Sequence, residues 1–120
     1  MPRDHRKLEI FASADRLTIG VYQITQHLPD IERFGLQSQI RRAAVSIPTN
    51  IVEGCARTSL ADYLRFLQIA YGSSREVLYL LDLVRRLAFL REGDVAPLLK
   101  DYDRLAGGIF VAMTKLRELL

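Results

Sequence analysis

The chain has 120 residues, of which 49% are hydrophobic and 26% charged, and it carries a formal net charge of +3. That length accommodates one ordinary domain with one core, and the balance of residues is that of a globular chain, which excludes a disordered or membrane-embedded one. Lys7, Lys100 and Lys115 are the only lysines, so fourteen of the 17 basic residues are arginine, the cation suited to bidentate pairing with carboxylate or phosphate.

The charged start Met1 to Lys7 leads into an amphipathic stretch and not into a signal-peptide apolar region. Apolar residues then recur at Ile10, Ala14, Leu17, Val21, Ile24 and Leu28, in steps of four and three, which predicts an amphipathic helix stopped by Pro29. Asp30 to Gly35 reads as a short connection.

A second helix is predicted from Leu36, Ile40, Ala44, Ile47, Ile51 and Cys55, whose phase is the same on both sides of Pro48. One proline-kinked helix fits that pattern better than two unrelated pieces. An interior proline costs about 3 kcal/mol and strands the carbonyl four residues back, that of Ala44. Two justifications stand open: a bend that lets the helix follow its neighbours, or a polar site formed with Ser46, Thr49 and Asn50. Gly54 loosens the end of this helix.

Ser59-Leu60-Ala61-Asp62 resembles a capping box with aspartate in place of the usual Glu or Gln, and opens a third helix running to about Leu90. This helix is apolar on two faces. One carries Leu64, Leu67, Ser74 and Leu81; the other carries Phe66, Ile69, Ser73, Val77, Leu80, Val84 and Leu87. Coverage of both predicts contact with its own bundle on one side and a partner chain on the other. Gly72-Ser73-Ser74 would permit close approach of another helix.

Asp94 is the expected N-cap of the last helix, with Pro97 in its first turn. Val95, Leu98, Tyr102, Leu105, Ile109, Met113 and Leu116 form its core stripe. Four helices without a strand signal give an all-α, up-down-up-down four-helix bundle with a proline-kinked second helix, as a single domain over residues 1–120.

The chemistry of the residues argues against an enzyme. A di-iron bundle needs Glu-x-x-His pairs, and neither His5 nor His27 has a glutamate three residues before it. Cys55, the single cysteine, excludes an intrachain disulfide and a multi-thiolate metal site. No base for a nucleophile and no glycine-rich phosphate loop is present, so neither a metal nor another cofactor is expected. No apolar run reaches the ~18 residues that cross a bilayer, so a cytoplasmic protein without membrane partners is expected.

What remains is the polar side of the second helix, where Arg42, Ser46, Thr49 or Asn50, Glu53 and Arg57 recur at steps of three and four. Glu53 and Arg57 are spaced for an ion pair, and Arg75 and Glu76 interrupt the apolar third helix opposite them. Two readings stand: an Arg–Glu network, Arg42 or Arg57 with Glu76, that fixes register, or a docking site for a ligand. The candidate nucleic-acid or partner contacts are Arg41, Arg42 and Arg57, with Arg85, Arg86 and Arg91 as a second cluster. Ser46, Asn50, Glu53 and Glu76 form the polar motif face.

The run from Gln39-Ile40-Arg41-Arg42 through Pro48 to Glu53-Gly54, then Arg57, Ser59 and Phe66 to Glu76, resembles the four-helix-bundle proteins encoded in intervening sequences of bacterial large-subunit ribosomal RNA genes. The likeness extends over nearly the whole chain. Val52 before Glu53, where many relatives have alanine, and Asp62, where glutamate is usual, are departures that leave the fold intact. The resemblance implies a homopentamer similar to the accessory protein of diversity-generating retroelements, which binds a reverse transcriptase and nucleic acid through a basic surface. It implies no catalytic activity. The expected function is therefore a non-enzymatic homo-oligomeric scaffold for nucleic acid, structured RNA first, or for a nucleoprotein partner. The alternatives are a protein-protein interaction module without nucleic-acid contact, and a small-anion or catalytic site built from Arg, Asn and Glu.

Overall fold

A computed structural model describes residues 3–120. The four amphipathic segments form α1 (Glu9–Thr25), α2 (Leu36–Cys55), α3 (Leu60–Arg86) and α4 (Glu92–Leu119), with short 3-10 turns at His5–Lys7 and Asp30–Glu32. Among the described residues there is no strand, and no helix is long and apolar enough to cross a membrane. The architecture is an all-α bundle. Helices pack in a ring, α1 on α2, α2 on α3, α3 on α4, and α4 back on α1. Its long axis, 45 Å, is set by the longest helix, since 28 residues at 1.5 Å each rise about 42 Å.

The periodic stripes become the core. All seven predicted α4 positions, Val95 to Leu116, are buried, as are Ile40, Ala44, Ile47, Ile51 and Cys55 on α2. Helix α2 runs unbroken through Pro48.

The expectation that α3 spends its second face on a partner chain needs correction. Phe66, Val77, Leu80 and Val84 are already buried within the chain, because α3 lies between α2 and α4 and both of its faces are covered from inside. Only Ile69 and Leu87 of that stripe remain exposed, with Tyr79 beside them. Ser73 and Ser74 are likewise used internally: Ser73 meets α2, and Ser74 is fully buried with its hydroxyl donated to the Tyr71 carbonyl at 2.6 Å.

Helix ends differ from those expected, each for a local reason. Helix α1 stops at Thr25, short of Leu28: the residue before Pro29 disfavours helical backbone, and the amides of His27 and Leu28 turn to the carbonyls of Ile24 and Thr25, three residues back, each at 3.1 Å. Leu28 is still buried from the connection.

Helix α3 stops at Arg86, short of Leu90. Ala88 adopts a left-handed φ of 58°, and the amides of Phe89 and Ala88 close on the carbonyls of Val84 and Arg85 at 3.1 and 3.0 Å, a Schellman ending with alanine where glycine is favoured. Helix α4 starts at Glu92, so Asp94 lies inside its first turn and not at the cap. Glu92 and Asp94 there complement the helix dipole. Pro97 consequently falls beyond the first turn. Ser59 caps α3 as expected, its hydroxyl accepting from the Asp62 amide at 3.1 Å.

Gly54 has a different role from the one its position suggested. It is buried where α2 meets α3, and a Cβ there would lie 2.9 Å from the Phe66 Cβ and 3.1 Å from Tyr63 Cδ1. Close packing, not a loosened helix end, requires it.

Candidate nucleic-acid interface

The polar side of α2 faces α3 across a seam. The Ser46 and Ser73 hydroxyls are 2.9 Å apart, and the Asn50 amide donates to the Ser46 carbonyl at 2.7 Å and its hydroxyl at 3.0 Å. These half-buried groups tie the two helices together. They do not gather around the carbonyl stranded by Pro48, which points to α1 instead and accepts from Thr18 at 3.3 Å.

The expected ion pairs on this side do not form. Among the described residues the pairs are Arg6–Asp4, Arg16–Asp101, Arg65–Asp62, Arg85–Asp82, Arg85–Glu92 and Arg86–Asp82, so Glu53 does not hold Arg57, and Glu76 holds neither Arg42 nor Arg57. The Arg57 guanidinium lies instead over the Phe66 ring, 4.7 Å from its centroid, and Arg65 lies 4.9 Å from the same ring. A flat cation on an aromatic face loses less hydration than an ammonium would, which favours stacking over an exposed ion pair.

The two arginine clusters proposed from sequence are dissimilar. Arg85 and Arg86 both donate to Asp82, the latter at 3.0 Å, and Arg85 reaches Glu92 at 3.7 Å. Hydrogen bonds from Arg85 hold the Asp82 carboxyl below its ordinary pKa. The charge of this cluster is largely answered within the chain. Arg91 stands at the N-cap position of α4 without a side-chain cap hydrogen bond, and it lines a hollow with His27, Phe89 and Asp94.

Arg41 is half structural. Its Nε donates to the Thr25 hydroxyl at 2.9 Å and its Nη2 to the Tyr22 carbonyl at 3.2 Å, while its guanidinium covers the Tyr22 ring at 4.5 Å. A cation here closes the C-terminal end of α1, where unpaired carbonyls collect partial negative charge.

Sequence reasoning missed Arg33. It joins Arg41 and Arg42 along a shallow trough with Tyr22, Phe34 and Ser38. Phe34, Ser38 and Arg42 also border the next hollow, which continues to Ser46, Ser73 and Glu76, so the arginines and the α2–α3 seam share one surface. Glu53 does not border it. Among the described residues, none pairs as an ion with Arg33, Arg41 or Arg42. Glu32, the nearest acid in sequence to Arg33, is turned toward α2, its Oε1 accepting from the Leu36 amide at 3.2 Å. The available signal was apolar residues in a polar turn: Ile31 and Phe34 are 88% and 91% exposed.

At the opposite end of α2, burial raises the pKa of the Cys55 thiol and pushes Tyr63 up to about 12, with Arg3 stacked 4.2 Å from the Tyr63 ring. A thiol held protonated is a poor nucleophile. Among the described residues no three His, Cys, Asp or Glu side chains converge as metal ligands would.

Residues 6–110 match the family model described as 23S rRNA-intervening sequence protein. Among solved structures, the chain is similar to a protein of unknown function from the S23 ribosomal protein family of Bacteroides thetaiotaomicron, determined at 1.70 Å resolution. The TM-score is 0.81 at 21% identity, covering 87% of this chain and 97% of that one, and a likeness at this identity concerns the fold. No curated protein matches the chain.

Proposed function

The chain belongs to the 23S rRNA-intervening sequence protein family, and from that premise we propose that it is an RNA-binding protein without a catalytic role, presenting its arginine surface from a homo-oligomer. One observation carries this reading: Arg33, Arg41 and Arg42 border a single trough, and among the described residues no carboxylate pairs with any of them. Unpaired guanidinium groups on one surface attract a polyanion, and their planar forks match phosphate oxygens. The Arg85–Arg86 cluster is a weaker candidate because Asp82 already occupies its donors.

Titration of a labelled RNA stem-loop by fluorescence anisotropy across a range of salt concentrations tests the reading. Affinity should fall steeply with salt, and replacing Arg33 and Arg42 together by alanine should flatten the slope of log K against log[salt] by roughly 1 to 2. No binding of RNA at low salt overturns it. Light scattering tests the assembly, for which a monomer at micromolar concentration would be the contrary result.

A second reading, docking of a partner protein, is favoured by the exposure of Ile31 and Phe34 beside the arginines. A complex that survives nuclease treatment and high salt would support that reading over the first.

A further inference from the structure

We infer that the trough at the α1–α2 connection takes unpaired RNA nucleotides, with a base stacked on Phe34 and the neighbouring phosphates held by Arg33 and Arg42. This rests on the RNA-binding reading and narrows it to single strands and loops.

Phe34 is 91% exposed, yet its backbone is held in place. The Asp30–Glu32 turn closes with Glu32 N to Pro29 O at 2.8 Å and Arg33 N to Asp30 O at 3.1 Å, and the Gly35 amide returns to the Glu32 carbonyl at 3.1 Å. A ring presented in water from an ordered turn is a prepared contact surface, because little backbone freedom is lost when something covers it. Arg33 lies near it, its guanidinium 6.0 Å from the ring centroid, and Arg42 borders the same hollow.

Cation and ring together suit a nucleotide, which has an anionic phosphate and a flat base. A paired base is already stacked between its neighbours in a duplex, so an exposed phenylalanine gains little there; an unpaired base can splay out and cover it. The other ring in the trough, Tyr22, is covered closely by Arg41 at 4.5 Å, whereas Arg33 stands over Phe34 at 6.0 Å and leaves that ring open to solvent. One free ring fits one splayed base, which a loop or bulge in an otherwise structured RNA supplies. Unpaired arginines favour this occupant over a protein partner, which would have to bring its own carboxylates.

The test compares a single-stranded oligouridine, a stem-loop, and a blunt RNA duplex matched in length, on the whole chain at low salt. The wild type should bind the first two more tightly than the duplex. F34A should weaken them by roughly tenfold or more, the range seen for one base-aromatic stack, and leave duplex binding unchanged. F34W should retain the preference, and R33A/R42A should weaken all three probes alike. Circular dichroism checks that each variant folds. Equal affinity for duplex and single strand, unmoved by F34A, overturns this inference while RNA binding stands. Binding of none of the three probes overturns the RNA-binding reading itself. Loss in F34A of a nuclease-resistant protein complex, with RNA binding intact, would assign the ring to a protein partner and also overturn the inference.

Discussion

Thr18 on α1 donates its hydroxyl to the Ala44 carbonyl on α2 at 3.3 Å, the acceptor whose helical donor is missing because residue 48 is proline. The same hydroxyl lies 2.7 Å from the carbonyl of Ala14, so one proton is divided between two acceptors. Ala14 and Ala44 are both fully buried. Among the described residues the buried Tyr102 hydroxyl has no hydrogen-bond partner, and burial raises its pKa. The interior proline of α2 is thus compensated from a neighbouring helix, on the core side and away from the Ser46–Asn50 face.

Thr18→Val should therefore destabilise the chain by roughly 1–3 kcal/mol, the cost of leaving a buried acceptor unpaired. In a Pro48→Ala background residue 48 regains its amide, and the same substitution should cost about 1 kcal/mol less. Urea unfolding of the four proteins measures the coupling. Equal costs in both backgrounds would mean that Ala44 does not depend on Thr18.

Gly54 and Ala88 predict opposite outcomes for glycine and alanine. Gly54→Ala adds a Cβ 2.9 Å from that of Phe66, an overpacking expected to cost about 1–3 kcal/mol, more than the roughly 1 kcal/mol that alanine gains in helix propensity. Ala88→Gly relieves a left-handed φ of 58° and should stabilise the chain by about 0.5–1 kcal/mol. Thermal melts that move the same way for both variants would contradict the geometry.

Asp82 makes stability depend on acid. Its folded pKa lies below the ordinary carboxylate value, so its contribution is complete above that value and is lost as pH falls through the folded one. The difference in Tm between wild type and Asp82→Asn should hold from neutral pH to about pH 4 and close below it. The pairs are partly exposed, so the difference should be small and shrink with salt. A gap that persists at the acid end would assign the effect of the substitution to something other than charge.

Much of the fold was legible. Every α4 stripe residue from Val95 to Leu116 is buried, and the phase carried through Pro48 marks one continuous helix. Helix ends were less so, because Thr25, Ala88 and Glu92 are set by individual hydrogen bonds and charges that periodicity does not report. The candidate site was legible only in part: Arg42 and Glu76 do meet one surface, but Arg33 went unnoticed, and Arg85 and Arg86 proved to be engaged with Asp82.

The sequence by itself determined four amphipathic helices and the inward stripes of α2 and α4, because apolar spacing along a helix depends on neighbours three and four residues away. Only the tertiary structure decided what each exception is for. Thr18 answers Pro48, Phe66 explains Gly54, Tyr22 and Thr25 engage Arg41, and Glu32 turns away to leave Arg33 unpaired. Most of these partners lie on other helices, and hydrogen bonding, stacking and steric contact act over a few ångströms in space, whatever the separation along the chain.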